Sequence, residues 1–374
     1  MRIAIIKPSA LGDICHALPV LSALRGHWPD SRITWIVNKS FEGLLRGHPD
    51  LTSTLPFDRG VFGRGWIAAA RSTIAFARLL RQQRFDLTID LQGLARTGLM
   101  TIATGAKRTI GFANAREGAR FAYRETVAVR DADKIHAVDR YWRIIEHLGA
   151  GHRPKQFVLP VSPERVEWVR DQWSELPRPW VCIAVGAKWL TKRWPPRHFG
   201  ELLNRMQHEF RGTAIFVGVG EDGAMSREAA STLKGPWLDW CGQTDLPTLA
   251  AALSLSDVML ANDTGPLHLA SALGTPCIAP YTCTRVTLHG PYGSMNGGVS
   301  TTVACAGSYV KKCPNQYRCF EDLTPDRLWP TFQGVLEGVS NGCGGTRTRT
   351  SVRTGDFKSP ASAIPPHTHD EPTR

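Results

Sequence analysis

The sequence predicts an α/β protein of two doubly wound domains that face a central cleft. Two strand–turn–helix units support this prediction, one at residues 3–24 and the other at residues 256–274. In each unit an apolar strand leads through a short polar turn into an apolar helix. The start of such a helix presents free backbone N–H groups and the positive end of a dipole, which together bind phosphate. Because the units lie in different halves of the chain, we expect a phosphate-bearing ligand between two domains.

The remainder of the chain alternates predicted strands and helices, as in parallel sheets covered by helices. In the first half we predict strands at 32–37 and 85–91 and helices at 66–82 and 139–148. In the second half we predict strands at 180–185, 213–217 and 276–280 and helices at 198–210, 225–233 and 324–338. The apolar residues of helix 66–82 that share one face are Ile67, Ala70, Ile74, Ala77 and Leu80.

These elements divide the chain into two domains, a linker and a tail. The first domain spans 1–160, the linker 161–179 with one helix at 163–173, the second domain 180–338 and the tail 339–374. The tail has no apolar period and is dominated by Ser, Thr, Pro, Gly and Arg, so we predict that it is disordered.

The length and composition indicate a globular protein. With 374 residues the chain can form two domains, and its 42% hydrophobic content excludes a mostly disordered protein. No window approaches the roughly 20 apolar residues of a membrane span. The first strand runs into Lys7 and Pro8, unlike a signal peptide, so we expect a cytoplasmic protein.

The chain carries a formal net charge of +12. Residues 344–374 contribute only +2, so about +10 belongs to the folded part. This excess predicts an anionic partner: a phosphorylated substrate, a nucleic acid or an acidic membrane face. We disfavour nucleic acid because no recognised binding motif accompanies the charge.

The cysteines predict neither a disulfide framework nor a metal centre. Nine cysteines are spread over a long chain, and the cluster Cys305, Cys313 and Cys319 lacks the spacing of a zinc ribbon. The pair Asp131 and Asp133 resembles the metal-holding aspartates of some sugar transferases. Because such short matches are common by chance, we predict no metal site there.

Asp13 lies where the first predicted helix begins. A carboxylate at this position serves equally well as a helix cap or as a general base aimed at a hydroxyl bound in the cleft. The spacing alone leaves both interpretations open.

A basic loop, residues 188–195, follows the first strand of the second domain. Its cations Lys188, Lys192 and Arg193 stand at the carboxyl end of a strand, where they suit a diphosphate. The alternative is a solvated loop packed by two tryptophans, and we favour phosphate binding.

Residues 218–223 match the pattern G-x-G-x-x-G of dinucleotide-binding folds. Glu221 and Asp222 would repel a pyrophosphate there, so we disfavour NAD as a cofactor. Glu221 is instead a candidate acceptor for the hydroxyl groups of a ribose.

A group of basic residues follows the strand 85–91 on the side where the cleft would open. This group comprises Arg96, Lys107, Arg108, Arg116, Arg120 and Arg124. The residues either form a solvated surface or receive an anionic acceptor.

Several motifs together resemble the ADP-heptose:lipopolysaccharide heptosyltransferases, glycosyltransferase family nine, and its type I members most closely. In the first half they are 7–13, 90–94, 111–112, 116–119 and 135–140. In the second half they are 191–195, 262–268 and 290–293. The resemblance runs in order from Met1 to about Gly338.

The resemblance implies a GT-B fold, two Rossmann-like domains of which the C-terminal one binds the donor. It implies transfer of heptose from ADP-heptose to the Kdo region of the lipopolysaccharide inner core, with inversion and without an obligatory metal or cofactor. The expected partners are ADP-heptose, an anionic lipid-linked lipopolysaccharide precursor and, peripherally, the inner face of the inner membrane.

The resemblance also implies roles for individual residues. Asp13 would be the catalytic base, and Lys192 would neutralise the departing diphosphate. The other expected donor-binding residues are Lys188, Arg193, Glu221, Asp263, Thr264, Gly265 and His268. The expected acceptor-binding residues are Ser9, Gly12, Arg116 and Arg120.

The chain departs from the family pattern at Gly186-Ala187-Lys188, where hydroxyl side chains are expected, and in the tail after Gly338. Two alternative functions stay open from the sequence. One is a nucleotide-sugar epimerase of the same architecture, and the other is a non-catalytic sugar-nucleotide-binding protein.

Overall fold

A computed structural model of the chain describes residues 1–60 and 65–341. The first three residues of the tail predicted to be disordered, 339–341, belong instead to the last helix, and the rest of that tail lies outside the described residues. Two six-stranded sheets, all parallel, form the framework of two domains. This confirms the predicted α/β class.

The first sheet has the strand order β3-β2-β1-β4-β5-β6. Its strands are β1 (Arg2–Ile6), β2 (Arg32–Asn38), β3 (Ser53–Phe57), β4 (Leu87–Asp90), β5 (Arg108–Phe112) and β6 (Glu125–Val127). The helices of this domain are α1 (Leu11–His27), α2 (Glu42–Leu45), α3 (Trp66–Gln82), α4 (Ala95–Thr104) and α5 (Ala137–His147). Helix α6 (Pro163–Trp173) lies in the predicted linker.

The second sheet repeats the same winding. Its strands are β7 (Trp180–Ala184), β8 (Thr213–Phe216), β9 (Trp237–Asp239), β10 (Val258–Ala261), β11 (Cys277–Tyr281) and β12 (Gly298–Ser300). They are ordered β9-β8-β7-β10-β11-β12. The helices are α7 (Pro196–Phe210), α8 (Gly223–Ala230), α9 (Leu246–Leu255), α10 (Gly265–Ala272), α11 (Val286–His289), α12 (Cys319–Asp322) and α13 (Pro325–Asn341).

The strands and helices predicted from sequence are confirmed, with shifted ends. Helix α10 begins at Gly265 instead of the predicted 269, because Pro266 fits the first turn of a helix, where no N–H is needed. The sequence prediction missed β3, β5, β6, β9 and β12, which are short or mixed in character. It also missed α4, the four-residue helices α2, α11 and α12, and α9, whose uniformly apolar sequence has no helical period.

Helix α3 confirms the predicted 66–82, but only part of its apolar face packs against the sheet. Leu80 is fully buried, and the Phe76 ring lies 5.4 Å from that of Phe57. Ile67 and Ile74, on the predicted face, are more than half exposed. The helix therefore rests on its C-terminal half and leaves an apolar stripe uncovered.

Helix α13 packs against the second sheet, and its buried contact there should contribute strongly to the stability of the protein. Phe332 is fully buried against the second sheet. We expect Phe332→Ala to lower the free energy of unfolding by about 3–5 kcal/mol, because it leaves a cavity. Urea denaturation measures the change, with Glu337→Ala on the exposed face of the same helix as a control expected to stay within about 0.5 kcal/mol. A loss below about 1 kcal/mol for Phe332→Ala would contradict the burial.

Candidate active site between the domains

The starts of α1 and α10 meet between the two domains. Each helix follows a central strand of its own sheet, β1 or β10. A Cβ atom on Gly12 would lie 2.4 Å from Cδ2 of His268, and one on Gly265 would lie 2.8 Å from Cβ of Leu11. Only glycine permits these two approaches, so the two helix starts predicted to bind phosphate are held at one place.

Asp263 is the hub of the second domain's side of the site. Its Oδ1 accepts from His268 Nε2 at 3.2 Å, and its Oδ2 accepts from Lys192 Nζ and Thr284 Oγ1, each at 2.7 Å. Burial opposes ionisation of Asp263, but the bonds to His268 and Lys192 outweigh it and hold the pKa of the carboxyl well below its usual range. Asp263 is therefore a buried, fully paired carboxylate.

The predicted basic loop brings Lys192 to this carboxylate. Thr191 Oγ1 donates to the Val310 carbonyl at 2.7 Å, and the Trp194 N–H donates to Asn262 Oδ1 at 3.0 Å. These bonds anchor the loop on both sides of Lys192. The Lys192 side chain keeps 21% of its surface exposed, so it can reach a ligand while paired with Asp263.

Asp13 occupies the first turn of α1, on the first domain's side. Its Oδ2 accepts from the Ala10 N–H at 3.3 Å, which makes it a helix cap, and lies 3.6 Å from Lys7 Nζ. Its Oδ1 accepts from the Tyr141 hydroxyl at 3.4 Å. The side chain is still 38% exposed. The capping interpretation is thus confirmed, and it leaves the carboxylate accessible for a second role.

Lys7 is almost completely buried, with 2% of its side chain exposed. Its ammonium group lies beside Asp13 and 5.1 Å from the centre of the Tyr141 ring. Burial opposes the ionisation of Asp13, but the Lys7 charge and the Ala10 N–H outweigh it and keep the pKa of Asp13 below its usual range. Lys7 therefore holds Asp13 as a carboxylate.

Three histidines line the interface behind these carboxylates. His16 Nε2 lies 3.2 Å from His268 Nδ1, and the rings of His16 and His136 are 5.0 Å apart. His136 Nδ1 accepts from the Val138 N–H at 3.1 Å, so its Nε2–H donates to the Gly290 carbonyl at 2.9 Å. Burial lowers the pKa of His16 well below its usual range and that of His136 to about 4, so both rings are neutral.

The other predicted donor-binding residues lie on loops and turns of the second domain. Lys188 is exposed on the loop after β7, whereas Arg193 donates from Nε to the Ala187 carbonyl at 2.7 Å. Glu221 is exposed on the 3-10 turn Gly220–Asp222, in the loop after β8. Thr264 precedes α10 and donates from Oγ1 to the Asn262 carbonyl at 3.2 Å. Their ligand contacts stay predictions.

The predicted acceptor-binding residues lie at two places. Ser9 and Gly12 belong to the loop and first turn after β1, and Gly12 is buried against His268. Arg116 and Arg120 are exposed in the segment after β5, where the Arg116 N–H donates to the Gly93 carbonyl at 2.9 Å. This bond ties the segment after β5 to the loop after β4, at the same sheet edge as Asp13.

Sequence reasoning missed the functional surroundings of the two carboxylates. From the sequence, Lys7 and His136 belong only to motifs shared with the family, and Tyr141 belongs only to the predicted helix 139–148, with no role assigned to it. The available signal for Lys7 was a lysine closing a strand of aliphatic residues, where it must be buried. Thr284 gave no such signal, because a loop far along the chain brings it to Asp263.

The part of the chain that the structure describes contains neither a candidate metal site nor a candidate membrane-spanning helix. No three His, Cys, Asp or Glu side chains there are arranged to hold a metal ion. Cys305, Cys313 and Cys319 are free thiols. No helix in residues 1–60 and 65–341 is both long and apolar enough to cross a bilayer.

The arrangement separates two chemical capacities. The first domain offers an ionised, accessible carboxylate, and the second offers a helix start, a partly exposed lysine and a neutralised aspartate. A carboxylate can accept a proton from a hydroxyl, and a helix start with cations stabilises a departing phosphate. The site therefore suits a displacement in which a nucleophile is activated on one side and a phosphate leaves on the other.

The chain is similar in sequence to known proteins. The sequence profile of glycosyltransferase family 9 (heptosyltransferase) matches residues 73–318. The lipopolysaccharide core heptosyltransferase OpsX of Haemophilus influenzae is 28% identical over 307 residues, which cover 80% of this chain and 84% of that protein. Lipopolysaccharide heptosyltransferase 1 of Pseudomonas aeruginosa is 27% identical over 365 residues, covering 90% of this chain and 98% of that protein.

Among solved structures, the Escherichia coli heptosyltransferase WaaC with ADP superposes with a TM-score of 0.71 at 21% identity. The match covers 90% of this chain and all of that one. The same protein with ADP-2-deoxy-2-fluoro heptose gives a TM-score of 0.67 at 21% identity and covers 89% of this chain and 99% of that one. These likenesses confirm the predicted GT-B fold.

The neutral interface predicts loss of stability on acidification. Burial lowers the pKa of His136 from 6.5 to about 4, so over this range the unfolded chain takes up a proton that the folded chain refuses. We expect the shift at His136 to lower the free energy of unfolding by up to about 3 kcal/mol as the pH falls from 7 to 4. His136→Asn should flatten that dependence while an amide oxygen still caps α5. Urea denaturation at pH 7 and pH 4.5 measures it.

The control for this experiment is His152→Asn, which removes an exposed imidazole. It should leave the pH dependence of the wild type in place. Equal pH dependence in His136→Asn and the wild type would show that His136 is not held neutral by its surroundings.

Proposed function

The chain belongs to glycosyltransferase family 9, the heptosyltransferases, and on that premise we propose that it moves heptose from ADP-heptose to the Kdo region of the lipopolysaccharide inner core, with inversion. The observation that carries this proposal is the juxtaposition of Asp13 on α1 with the Asp263–Lys192–His268 cluster at the start of α10. The names of the relatives support the same reaction.

Asp13 is the proposed base. The acceptor hydroxyl oxygen attacks the anomeric carbon of the heptose while its proton passes to the Asp13 carboxylate. The bond from that carbon to the diphosphate oxygen breaks, and ADP leaves with the electron pair. Attack from the side opposite the leaving group inverts the anomeric centre, which requires base and diphosphate on opposite walls of a cleft. The two domains provide these walls.

The second domain stabilises the negative charge that develops on ADP. The start of α10 offers the N–H groups of its first turn, and Lys192 offers donors beyond the one used by Asp263. Lys188 and Arg193 add positive charge from the same loop. With this charge supplied by side chains and a helix start, the proposed reaction needs no divalent metal.

Other residues position the two substrates. Glu221, exposed after β8, is proposed to accept hydrogen bonds from the ribose hydroxyls of ADP. Thr264, Gly265 and His268 border the heptose and diphosphate. On the first domain, Ser9 and Gly12 border the acceptor hydroxyl, and Arg116 and Arg120 bind the anionic groups of the acceptor. Family membership favours transfer over the epimerase and binding-protein alternatives.

The direct test is ADP release from ADP-heptose by the purified protein, with and without Kdo-lipid A. Release that depends on the acceptor supports the proposal. Tight ADP binding without release would mean another sugar or another acceptor, and acceptor-independent release would mean hydrolysis of the donor.

Replacement of the proposed base should separate chemistry from binding. We expect Asp13→Asn to lower kcat by about 10²–10⁴-fold, because the amide cannot accept the proton. ADP affinity, measured by calorimetry, should stay within about threefold, since the donor site lies on the other domain. Asp30→Asn, an exposed carboxylate just beyond the far end of α1, is the matched control. Wild-type turnover in Asp13→Asn would remove this residue from the mechanism.

Lys7 should set the pH range over which the base is ionised. In Lys7→Met the burial of Asp13 persists without the opposing charge, so the pKa of Asp13 rises. The acid limb of the kcat/KM profile should therefore move to higher pH, with a loss at pH 5 about tenfold larger than at pH 8. The position of this limb does not depend on how much protein is folded. Lys39→Met, at an exposed lysine, is the control, and an unmoved acid limb in Lys7→Met would refute the prediction.

A further inference from the structure

One side of the first domain exposes large apolar side chains that the active site does not use. They lie on α3, on α4 and on the 3-10 turn Ala119–Ala122, which we call together the apolar ridge. Trp66 is 79% exposed and Phe121 is 82% exposed. The other members, each more than half exposed, are Ile67, Ile74, Leu99 and Ile102.

The ridge is continuous because α4 packs against both other elements. A Cβ atom on Gly98 would lie 3.1 Å from the Cα of Ala119, so α4 and the turn are in direct contact. Leu99 and Ile102 are three residues apart and thus share one face of α4. Ile67 and Ile74, seven residues apart, likewise share the face of α3 that the sheet leaves uncovered.

The charged residues of these segments are almost all basic. Residues 66–82, 95–104 and 116–124 contain seven arginines and one acidic residue, Glu117. The arginines are Arg71, Arg78, Arg81, Arg96, Arg116, Arg120 and Arg124. Glu117 is occupied, since its carboxylate accepts from the Ala95 N–H at 3.1 Å. The Arg120 guanidinium lies 5.2 Å from the centre of the Phe121 ring, so apolar and basic groups are interleaved.

An apolar face with a tryptophan and a phenylalanine, set among arginines, fits the boundary between anionic headgroups and acyl chains. We propose that the apolar ridge docks the protein on the surface of a bilayer that contains anionic phospholipids. This inference rests on the proposed function, because docking on a bilayer would bring the protein to an acceptor that is anchored there by a lipid.

The position of the ridge suits such an acceptor. Strands β1, β4 and β5 are neighbours in the sheet, and their carboxyl ends carry Asp13, the loop before α4 and the segment with Arg116. The ends of β1 and β5 are two strand spacings apart, a distance of about 10 Å. An acceptor whose acyl chains stay in the bilayer under the ridge would thus present its sugar to Arg116, Arg120 and then Asp13.

The test measures sedimentation of the full chain with vesicles that contain no acceptor and no donor. The vesicles are phosphatidylcholine alone or phosphatidylcholine with phosphatidylglycerol. We expect the wild type to bind the acidic vesicles, to prefer them over the neutral ones, and to release at raised salt. The double variant Trp66→Ser/Leu99→Ser should bind at least about tenfold more weakly. Arg71→Gln and Arg78→Gln should each weaken binding to acidic vesicles about fivefold.

Trp168→Ser is the matched control, since Trp168 is an exposed tryptophan on α6, outside the ridge. Its binding should equal that of the wild type, and thermal unfolding should show that every variant is folded. Failure of the wild type to bind acidic vesicles overturns the proposal. So does equal binding by the ridge variants, or a loss matched by Trp168→Ser. A ridge that instead mediates self-association would appear as an oligomer that the ridge variants abolish and vesicles do not affect, which also overturns it.

A second arm separates this proposal from the proposed function. Turnover is measured with a water-soluble acceptor that lacks acyl chains and with the same sugar embedded in vesicles. The ridge variants should keep turnover on the soluble acceptor and lose it on the embedded one. Vesicle binding without turnover on either acceptor would refute the proposed function and leave the docking surface standing.

Discussion

The close packing of two helix starts across the domain boundary is the constraint on which the site depends. Gly12 and Gly265 each leave room for a side chain of the opposite domain, His268 and Leu11. Any larger residue at either glycine would push α1 away from α10. Since Asp13 follows Gly12 directly and Asp263 stands two residues before Gly265, this packing fixes the two carboxylates relative to one another. The apolar core also runs through this contact, from the first sheet through α1 to α10.

Each carboxylate is paired with a lysine from its own domain, but the two pairs are built differently. Lys7 is sealed from solvent, so it acts on Asp13 only as a fixed charge. Lys192 is partly exposed, and its ammonium group can turn toward a ligand without leaving Asp263. A base needs a constant environment, whereas a group that follows a departing diphosphate needs reach. The difference in burial therefore matches the difference in proposed role.

The sequence predicts the doubly wound class and the two helix starts because apolar strands followed by polar turns are local signals. It also predicts Asp263, Lys192 and His268, whose motifs stand beside those strands. The partners of these residues were not predicted, because they depend on which loops the fold brings together. Thr284 reaches Asp263 from the loop after β11, and Tyr141 reaches Asp13 from a helix that is amphipathic in sequence. Helix α3 shows a further limit, since an apolar stripe predicts a buried face without saying what buries it.

The motifs at 135–140 and 290–293, which no single pattern explains, acquire a physical reason where they meet. His136 donates to the Gly290 carbonyl, and the Tyr292 hydroxyl donates to Asp139 Oδ1 at 2.8 Å. Lys155 donates to the same Asp139 oxygen at 2.5 Å. The bonds of His136 and Tyr292 tie the second domain to the first beside the histidines, while the partly exposed Lys155–Asp139 pair lies within the first domain and holds the carboxylate that Tyr292 contacts. Any movement that opens the cleft to admit a donor must either break these bonds or pivot about them, and a pivot requires no buried charge to be exposed.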